Sequence, residues 1–217
     1  MKKYITAFVL SLFVCLSTNA QTAKELFRAM PDSILPLLSA NNRADCTDFM
    51  DSKMKAEVVN AFKEKTVMND MTADYISLNL SESSTWQMKI LPLKDGTKII
   101  CIINTAFGPV ADSRINFYTT TWEPRNTVDF IILPTTDDFF KKPASSDKND
   151  STYNAYIKAR QSCDIDLIKL DFNKSDFTLT ATYTTPEFVG KANTKDITPY
   201  IIGSISYNWS NDRFEKK

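Results

Sequence analysis

The chain contains no histidine. That absence removes every Ser-His-Asp and Cys-His catalytic arrangement, the H-E-x-x-H zinc proteases and the usual imidazole-bearing metal sites. Glycine is scarce as well. Gly96, Gly108, Gly190 and Gly203 are the whole supply and no two lie close together, so no glycine-rich loop can cradle a phosphate. Charge of either sign in excess is also missing: Lys+Arg and Asp+Glu number 26 each. A chain with no net field is not drawn to nucleic acid or to an anionic membrane. The basic residues do not gather either, since Lys141-Lys142 follow Asp137-Asp138 and Lys216-Lys217 end the chain. No nucleic-acid partner is expected.

Cysteine gives little more. Of four cysteines, Cys15 lies in the N-terminal apolar run, leaving Cys46, Cys101 and Cys163. Three thiols cannot all pair within one chain, and spacing does not choose between them. No C-x-x-C is present, which excludes a thioredoxin-type redox centre and a paired-cysteine zinc knuckle. Ser52-Lys53-Met54-Lys55 fits the S-x-x-K of penicillin-binding serine enzymes, and Ser206-Tyr207-Asn208 supplies a loose S-x-N. No K-T-G accompanies them, so Lys53 and Lys55 read as solvated charges at a helix end. Asp147, Asn149 and Ser151, and again Asp171, Asn173 and Ser175, have the alternate spacing of calcium loops. Their sixth positions are Thr152 and Asp176 rather than glycine, and their twelfth are Lys158 and Thr182 rather than glutamate. Both read as polar turns, and neither a metal nor a cofactor is expected.

What is present begins with a leader. Lys2-Lys3 precede an apolar run from Tyr4 to Leu16, and Thr18 and Ala20 are small residues placed for cleavage before Gln21. This is the layout of a secretory signal peptide over residues 1–20. The apolar run falls short of the ~20 residues a spanning helix needs, and no later stretch is longer, so no membrane span is expected after cleavage. A buried core helix is the competing reading, but such a helix rarely opens on two lysines. Val14 is too large for the position before a lipid-modified Cys15. Cleavage leaves 197 of the 217 residues, read as one α+β domain over 21–217. The setting is then periplasmic or extracellular.

Along the mature chain, residues 22–62 are helical in character. Cys46, Phe49, Met50 and Met54 recur at three and four from Arg43, as on one helical face. Strands follow. Ile76, Leu78 and Leu80 alternate with polar residues, as do Trp86, Met88 and Ile90. Asp95-Gly96 marks a hairpin turn, and Ile99 to Ile103, apolar throughout, reads as a central strand covered on both faces. Ile115 and Phe117, then Val128, Phe130 and Ile132, continue the series. After the polar break 141–151 comes a helix around Tyr153 to Gln161. Ile168 to Phe172 and Phe177 to Tyr183 are then two strands about a turn at 173–176, and Ile201, Ile205, Tyr207 and Trp209 end the pattern. Short connections imply antiparallel pairing. The fold class expected is α+β, with N-terminal helices packed on a mostly antiparallel, twisted β-sheet. Strand-turn-strand sets on either side of the break hint at a loose internal duplication.

Binding candidates are aromatic. Trp86 and Trp209 fall on inward faces, which leaves Trp122, just before Glu123-Pro124, as the tryptophan suited to exposure. Phe139-Phe140 beside Asp137-Asp138 is a second aromatic spot, and the loop at Gly108-Pro109 a third presenting element. Trp122, Phe139 and Phe140 are the partner-binding candidates, for an envelope protein or a glycan. The favoured function is a non-catalytic binding or accessory protein of the cell envelope. The alternative is a hydrolase with a carboxylate pair, drawn from Asp137-Asp138 or Asp45, Asp48 and Asp51, acting on a glycan.

Residues 30–38, Met-Pro-Asp-Ser-Ile-Leu-Pro-Leu-Leu, with Asn42-Arg43-Ala44-Asp45 and Asp48-Phe49, resemble the opening of an uncharacterised exported protein family of Bacteroidales. Gly108-Pro109 with Asp112-Ser113-Arg114, Phe117-Tyr118, and Tyr183-Thr184-Thr185-Pro186-Glu187 extend the resemblance over the whole mature chain. It implies a periplasmic or surface-facing setting in a Gram-negative anaerobe and transfers no active residues.

Overall fold

The structure, a computed structural model, describes residues 21–144, 147, 149–189 and 195–217. The expected signal peptide, residues 1–20, lies outside the described residues. Helices α1 (Ala23–Ala29) and α2 (Ala40–Asp51) come first. Strands β1 (Glu57–Val59), β2 (Lys65–Met71), β3 (Tyr75–Ser81), β4 (Ser84–Pro92), β5 (Lys98–Phe107), β6 (Ala111–Thr119) and β7 (Pro124–Arg125) follow. These seven form one antiparallel sheet in simple chain order. Helices α3 (Thr136–Phe139) and α4 (Ser151–Gln161) precede β8 (Ile168–Phe172) and β9 (Thr178–Tyr183). Helix α5 (Thr185–Phe188) leads to β10 (Ser204–Ser210) and β11 (Arg213–Lys216). The second sheet, also antiparallel, runs β11-β10-β9-β8.

The fold is α+β, in three layers. On one face of the large sheet, Trp86, Met88, Ile90, Ile100 and Ile102 pack against Leu26, Phe27, Leu38 and Cys46 of the N-terminal helical segment. On the other face, Leu91, Ile99, Cys101, Ile103, Ile115 and Phe117 meet Leu170, Leu179, Ala181 and Tyr207 of the small sheet. Strand β5 is therefore sandwiched, as its unbroken apolar run requires: Ile99 to Ile103 are each at most 2% exposed. At about 1.5–3 kcal/mol per fully buried aliphatic side chain, this one strand anchors both cores.

Three local expectations need correction. Helix α2 ends at Asp51, because Lys53 adopts a left-handed φ of 56°, so Met54 leaves the helical face and stands 58% exposed. Strand β1 falls inside the stretch read as helical. The Val128, Phe130, Ile132 alternation is no strand: residues 127–129 form a 3-10 turn, with Val128 64% and Ile132 71% exposed. Phe130 alone follows the pattern, stacking on Phe117 at 4.7 Å between ring centroids, and its neighbour Ile131 is buried beside it. The helix expected near 153–161 is α4, and the turn at 173–176 joins β8 to β9 as read.

The sheets are fastened at an edge. Strand β8 ends the small sheet, so alternate amides point away from β9. Ile168 N donates to Asp112 Oδ1 (3.1 Å), Leu170 N to Ser113 Oγ (2.9 Å) and Phe172 N to Gln87 Oε1 (3.0 Å). Side chains of the large sheet thus stand in for a missing strand and close an edge that would otherwise be free to pair. Lys89, fully buried, reaches Asp74 at 2.9 Å and the Lys174 carbonyl at 3.0 Å, pinning the β8–β9 turn to the same sheet.

Candidate functional site

Strands β4, β5 and β6 pair over nearly their full length, so opposed residues form rows across the sheet. On the helix-facing side the rows read Trp86–Asn104–Arg114, Met88–Ile102–Asn116 and Ile90–Ile100–Tyr118. Each row begins apolar on β4 and ends polar on β6. The helical layer covers the apolar ends and stops short of the polar ones: Trp86 and Met88 are fully buried, whereas Arg114 is exposed. Between them opens a trough of about 470 Å³, lined by Asn104, Arg114, Asn116 and Tyr118 and by Ile34, Leu37 and Leu80. That volume falls in the range of small-ligand sites.

Three polar side chains of the trough are unengaged. Among the described residues, the side chains of Asn104, Arg114 and Asn116 make no hydrogen bond or ion pair. Asp112 at the rim is partly occupied, accepting the Ile168 amide. Burial pushes the Tyr118 phenol up, so it stays a protonated donor near neutrality. The trough therefore offers two amides, a guanidinium and a phenol beside an apolar wall.

That wall is rigidly held. Residues 30–38 have no regular secondary structure, yet Arg43, 1% exposed, reaches back from α2 to fasten them. Its Nη1 donates to the Leu38 carbonyl (2.6 Å) and to Asp32 Oδ1 (2.8 Å), and its Nη2 donates to the Met30 carbonyl. The loop hangs from one guanidinium, with Ile34 and Leu37 facing the trough.

The three aromatic residues expected at a partner surface are buried, which corrects their reading as exposed. Trp122 is 8% exposed. Its φ of 68° turns the chain back, so the indole lies on Tyr118 at 5.9 Å, within the helix-side core. Phe139 and Phe140 are 0% and 5% exposed. Helix α3 ends between them, so consecutive side chains both turn inward. Phe139 stacks on Tyr183 at 4.8 Å, and Phe140 meets Tyr156 edge-on. The loop at Gly108-Pro109 is exposed and follows Ala106, which lines the trough.

A second cleft, about 390 Å³, is lined by Ile132, Leu133, Pro134, Tyr207 and Phe214 with Asp138 and Glu215. Here two carboxylates do share a concavity. The Thr135 amide, then Lys216, hold the Asp138 carboxyl below its usual range, and hydrogen bonds from Ser210 and Asn211 do the same for Glu215. Neither retains a proton near neutrality. Of the other acid candidates, Asp48 pairs with Arg28 at 2.7 Å, Asp51 with Lys24, and Asp137 with Arg160 at 2.7 Å. Cys46, Cys101 and Cys163 are all free and buried. Burial pushes the Cys46 thiol up to about 11 and raises those of Cys101 and Cys163, so none is a ready nucleophile. Among the described residues no group of three acids or cysteines is placed to hold a metal, and no helix is long and apolar enough to cross a membrane.

A family model described as a protein of unknown function (DUF3256) matches residues 15–214. No curated protein matches the chain. Among solved structures, the chain is similar to a domain of an uncharacterised protein from Porphyromonas gingivalis W83, one of the Bacteroidales. The two share 25% identity over 89% of this chain and 96% of that one, with a TM-score of 0.74.

Proposed function

We propose that this chain, which belongs to the DUF3256 family of proteins of unknown function, is an exported, non-catalytic binding or accessory protein of the cell envelope. Its ligand seat is the trough on β5 and β6. The observation that carries this reading is a polar stretch of sheet face, left uncovered by the helical layer, where the side chains of Asn104, Arg114 and Asn116 have no partner among the described residues. Folded proteins satisfy their buried polar groups and leave free ones to water or to a ligand. A preorganised set beside an apolar wall suits a ligand. Segments that carry the family resemblance meet here, 30–38 as wall and Asp112-Ser113-Arg114 with Tyr118 as bed.

Export rests on the leader pattern of residues 1–20 and places the domain in the periplasm or outside a Gram-negative cell. The hydrolase alternative turns on Asp138 and Glu215 in the second cleft. A glycosidase acid must hold a proton at working pH, which requires a carboxyl raised above its usual range, and both of these are lowered.

The test immobilises the protein and captures species from its own envelope extract, identified by mass spectrometry. Wild type and a distant surface variant, Lys142→Ala, should capture the same species, and Asn104→Ala/Asn116→Ala should lose it. Capture indifferent to the trough contradicts the reading. Intact mass of the protein from its host should begin at Gln21, and a cytosolic product retaining Met1 defeats the export claim.

A further inference from the structure

Resting on that reading, we infer that the trough binds a carboxylate-bearing saccharide, with Arg114 as the anchor for the carboxylate and Asn104 and Asn116 as the readers of flanking hydroxyls. The charge pattern comes first. Arg114 is a fixed cation, and no carboxylate answers it among the described residues, although other basic side chains such as Arg28, Arg43 and Arg160 each have one. Its neighbours across the sheet and toward Tyr118 are neutral: Asn104 directly across on β5 and Asn116 two residues along β6. A planar guanidinium flanked by neutral amides complements a carboxylate set among hydroxyls, because the charge is met bidentately and each amide can both donate and accept.

Asp112, two residues from Arg114 on the same face, sets the direction. Like-charge repulsion keeps an incoming carboxylate off the Asp112 end, so the ligand extends from Arg114 toward Asn116 and Tyr118. From Arg114 to Tyr118 the strip runs about 13 Å at ~3.3 Å per residue, the reach of a short oligosaccharide. The apolar C–H face of a sugar ring can lie on Tyr118 or on the Ile34 and Leu37 wall.

An acidic peptide fits this surface less well. Peptides recognised by sheets add as a strand at a free edge, where main-chain groups supply the affinity. Here the ligand seat is a sheet face: the backbone of β5 is paired on both sides, to β4 and to β6, and the outer edge of β6, covered by β7 only at Phe117 and Tyr118, lies to the side of that face. A peptide main chain laid on it finds only side chains, whereas a saccharide needs nothing else.

The experiment follows the side-chain amides of Asn104 and Asn116 and the Arg114 Nε–H by ¹⁵N NMR in the full protein. The probes are glucuronate-, galacturonate- and sialate-containing trimers, neutral trimers of matching linkage, and an aspartate- and glutamate-rich hexapeptide. At least one acidic trimer should shift these signals and bind at least tenfold more tightly than its neutral counterpart. The advantage should shrink as salt rises and vanish in Arg114→Gln, a change at an exposed side chain that leaves the melting temperature unaltered. Equal binding of acidic and neutral trimers overturns the inference, as does a hexapeptide that outcompetes every saccharide, or silence at all three groups with every acidic trimer. In each of these cases trough-dependent capture from the envelope extract still decides the broader binding reading on its own.

Discussion

Replacing Arg43 by methionine removes the group from which the 30–38 loop hangs, and the structure says which of its interactions matters. The ion pair with Asp32 is half in water: the arginine side chain is 2% exposed and the carboxylate 67%. Pairs with a solvated partner are worth about 0–1 kcal/mol, so Asp32→Asn should cost less than ~1 kcal/mol. The carbonyls of Met30 and Leu38 depend on the guanidinium for their hydrogen bonds. An orphaned buried acceptor costs about 1–3 kcal/mol, while methionine refills most of the space left by the aliphatic stem. Arg43→Met should therefore destabilise by about 3 kcal/mol, or ~6–12 °C in melting temperature for a chain of this size. Urea unfolding of the two variants, analysed for midpoint and slope, measures both. If Asp32→Asn costs as much as Arg43→Met, the charge and not carbonyl satisfaction holds the loop, and the reasoning fails. It fails equally if Arg43→Met stays within 1 kcal/mol of wild type.

Gln87→Ala should leave the Phe172 amide without its acceptor, cost about 1–2 kcal/mol and speed hydrogen exchange at Phe172 but not at Leu179; unchanged exchange would show that the sheets are not fastened there. Cys46, Cys101 and Cys163 should resist a thiol reagent until denaturant is added, since a Cys46 thiol at about 11 leaves only about one in a thousand ionised at pH 8; prompt labelling of the native protein would contradict their burial. Asp138 has its carboxyl lowered by the Thr135 amide and Lys216, so its stabilisation is fully present above the ordinary aspartate range and is lost as pH falls through the lowered folded value. Asp138→Asn should accordingly be less stable than wild type at pH 7, by under ~1 kcal/mol given its exposure, and the gap should close in acid; a gap independent of pH refutes it.

Periodicity revealed the parts of the fold whose burial is one-sided or complete. The alternation in β3, β8 and β9 and the unbroken run of β5 were readable because the side-chain period of a strand is fixed at two, whereas β4, whose Lys89 alternates as if it faced water, is covered on both faces with Lys89 fully buried. Where tertiary placement overrode local pattern, the reading slipped. Val128, Phe130 and Ile132 alternate as a strand should, but the segment crosses between the sheets, burying Phe130 and Ile131 in succession and leaving Ile132 in water. Met54 continues a helical spacing past a residue that terminates the helix. β1 and β11 are short edge strands of three and four residues, too brief to establish a period. Phe139 and Phe140 looked exposed because adjacent aromatics flanked by charge cannot both face one core from a regular element, and the end of α3 between them removes that restriction.

The trough shows the same boundary from the other side. The polarity of alternate residues on β6, Asp112, Arg114, Asn116 and Tyr118, was legible, and the natural inference from it is a face turned to water. That inference is right for Asp112 and Arg114 and half right for Asn116 and Tyr118, which are partly buried. A site arises only because the opposite ends of the same cross-strand rows are apolar and covered, so the helical layer ends in mid-sheet and leaves a step. The depth of that step depends on the 30–38 loop, which carries two prolines and no regular structure and is fixed by an arginine from the following helix. In the sequence Arg43 is one of 26 basic residues, with nothing local to mark it as buried. Only the closure of the loop onto α2 makes its burial favourable, by supplying two carbonyls and a carboxylate at once. The wall of the site is thus a product of long-range closure, while its bed is a product of strand alternation.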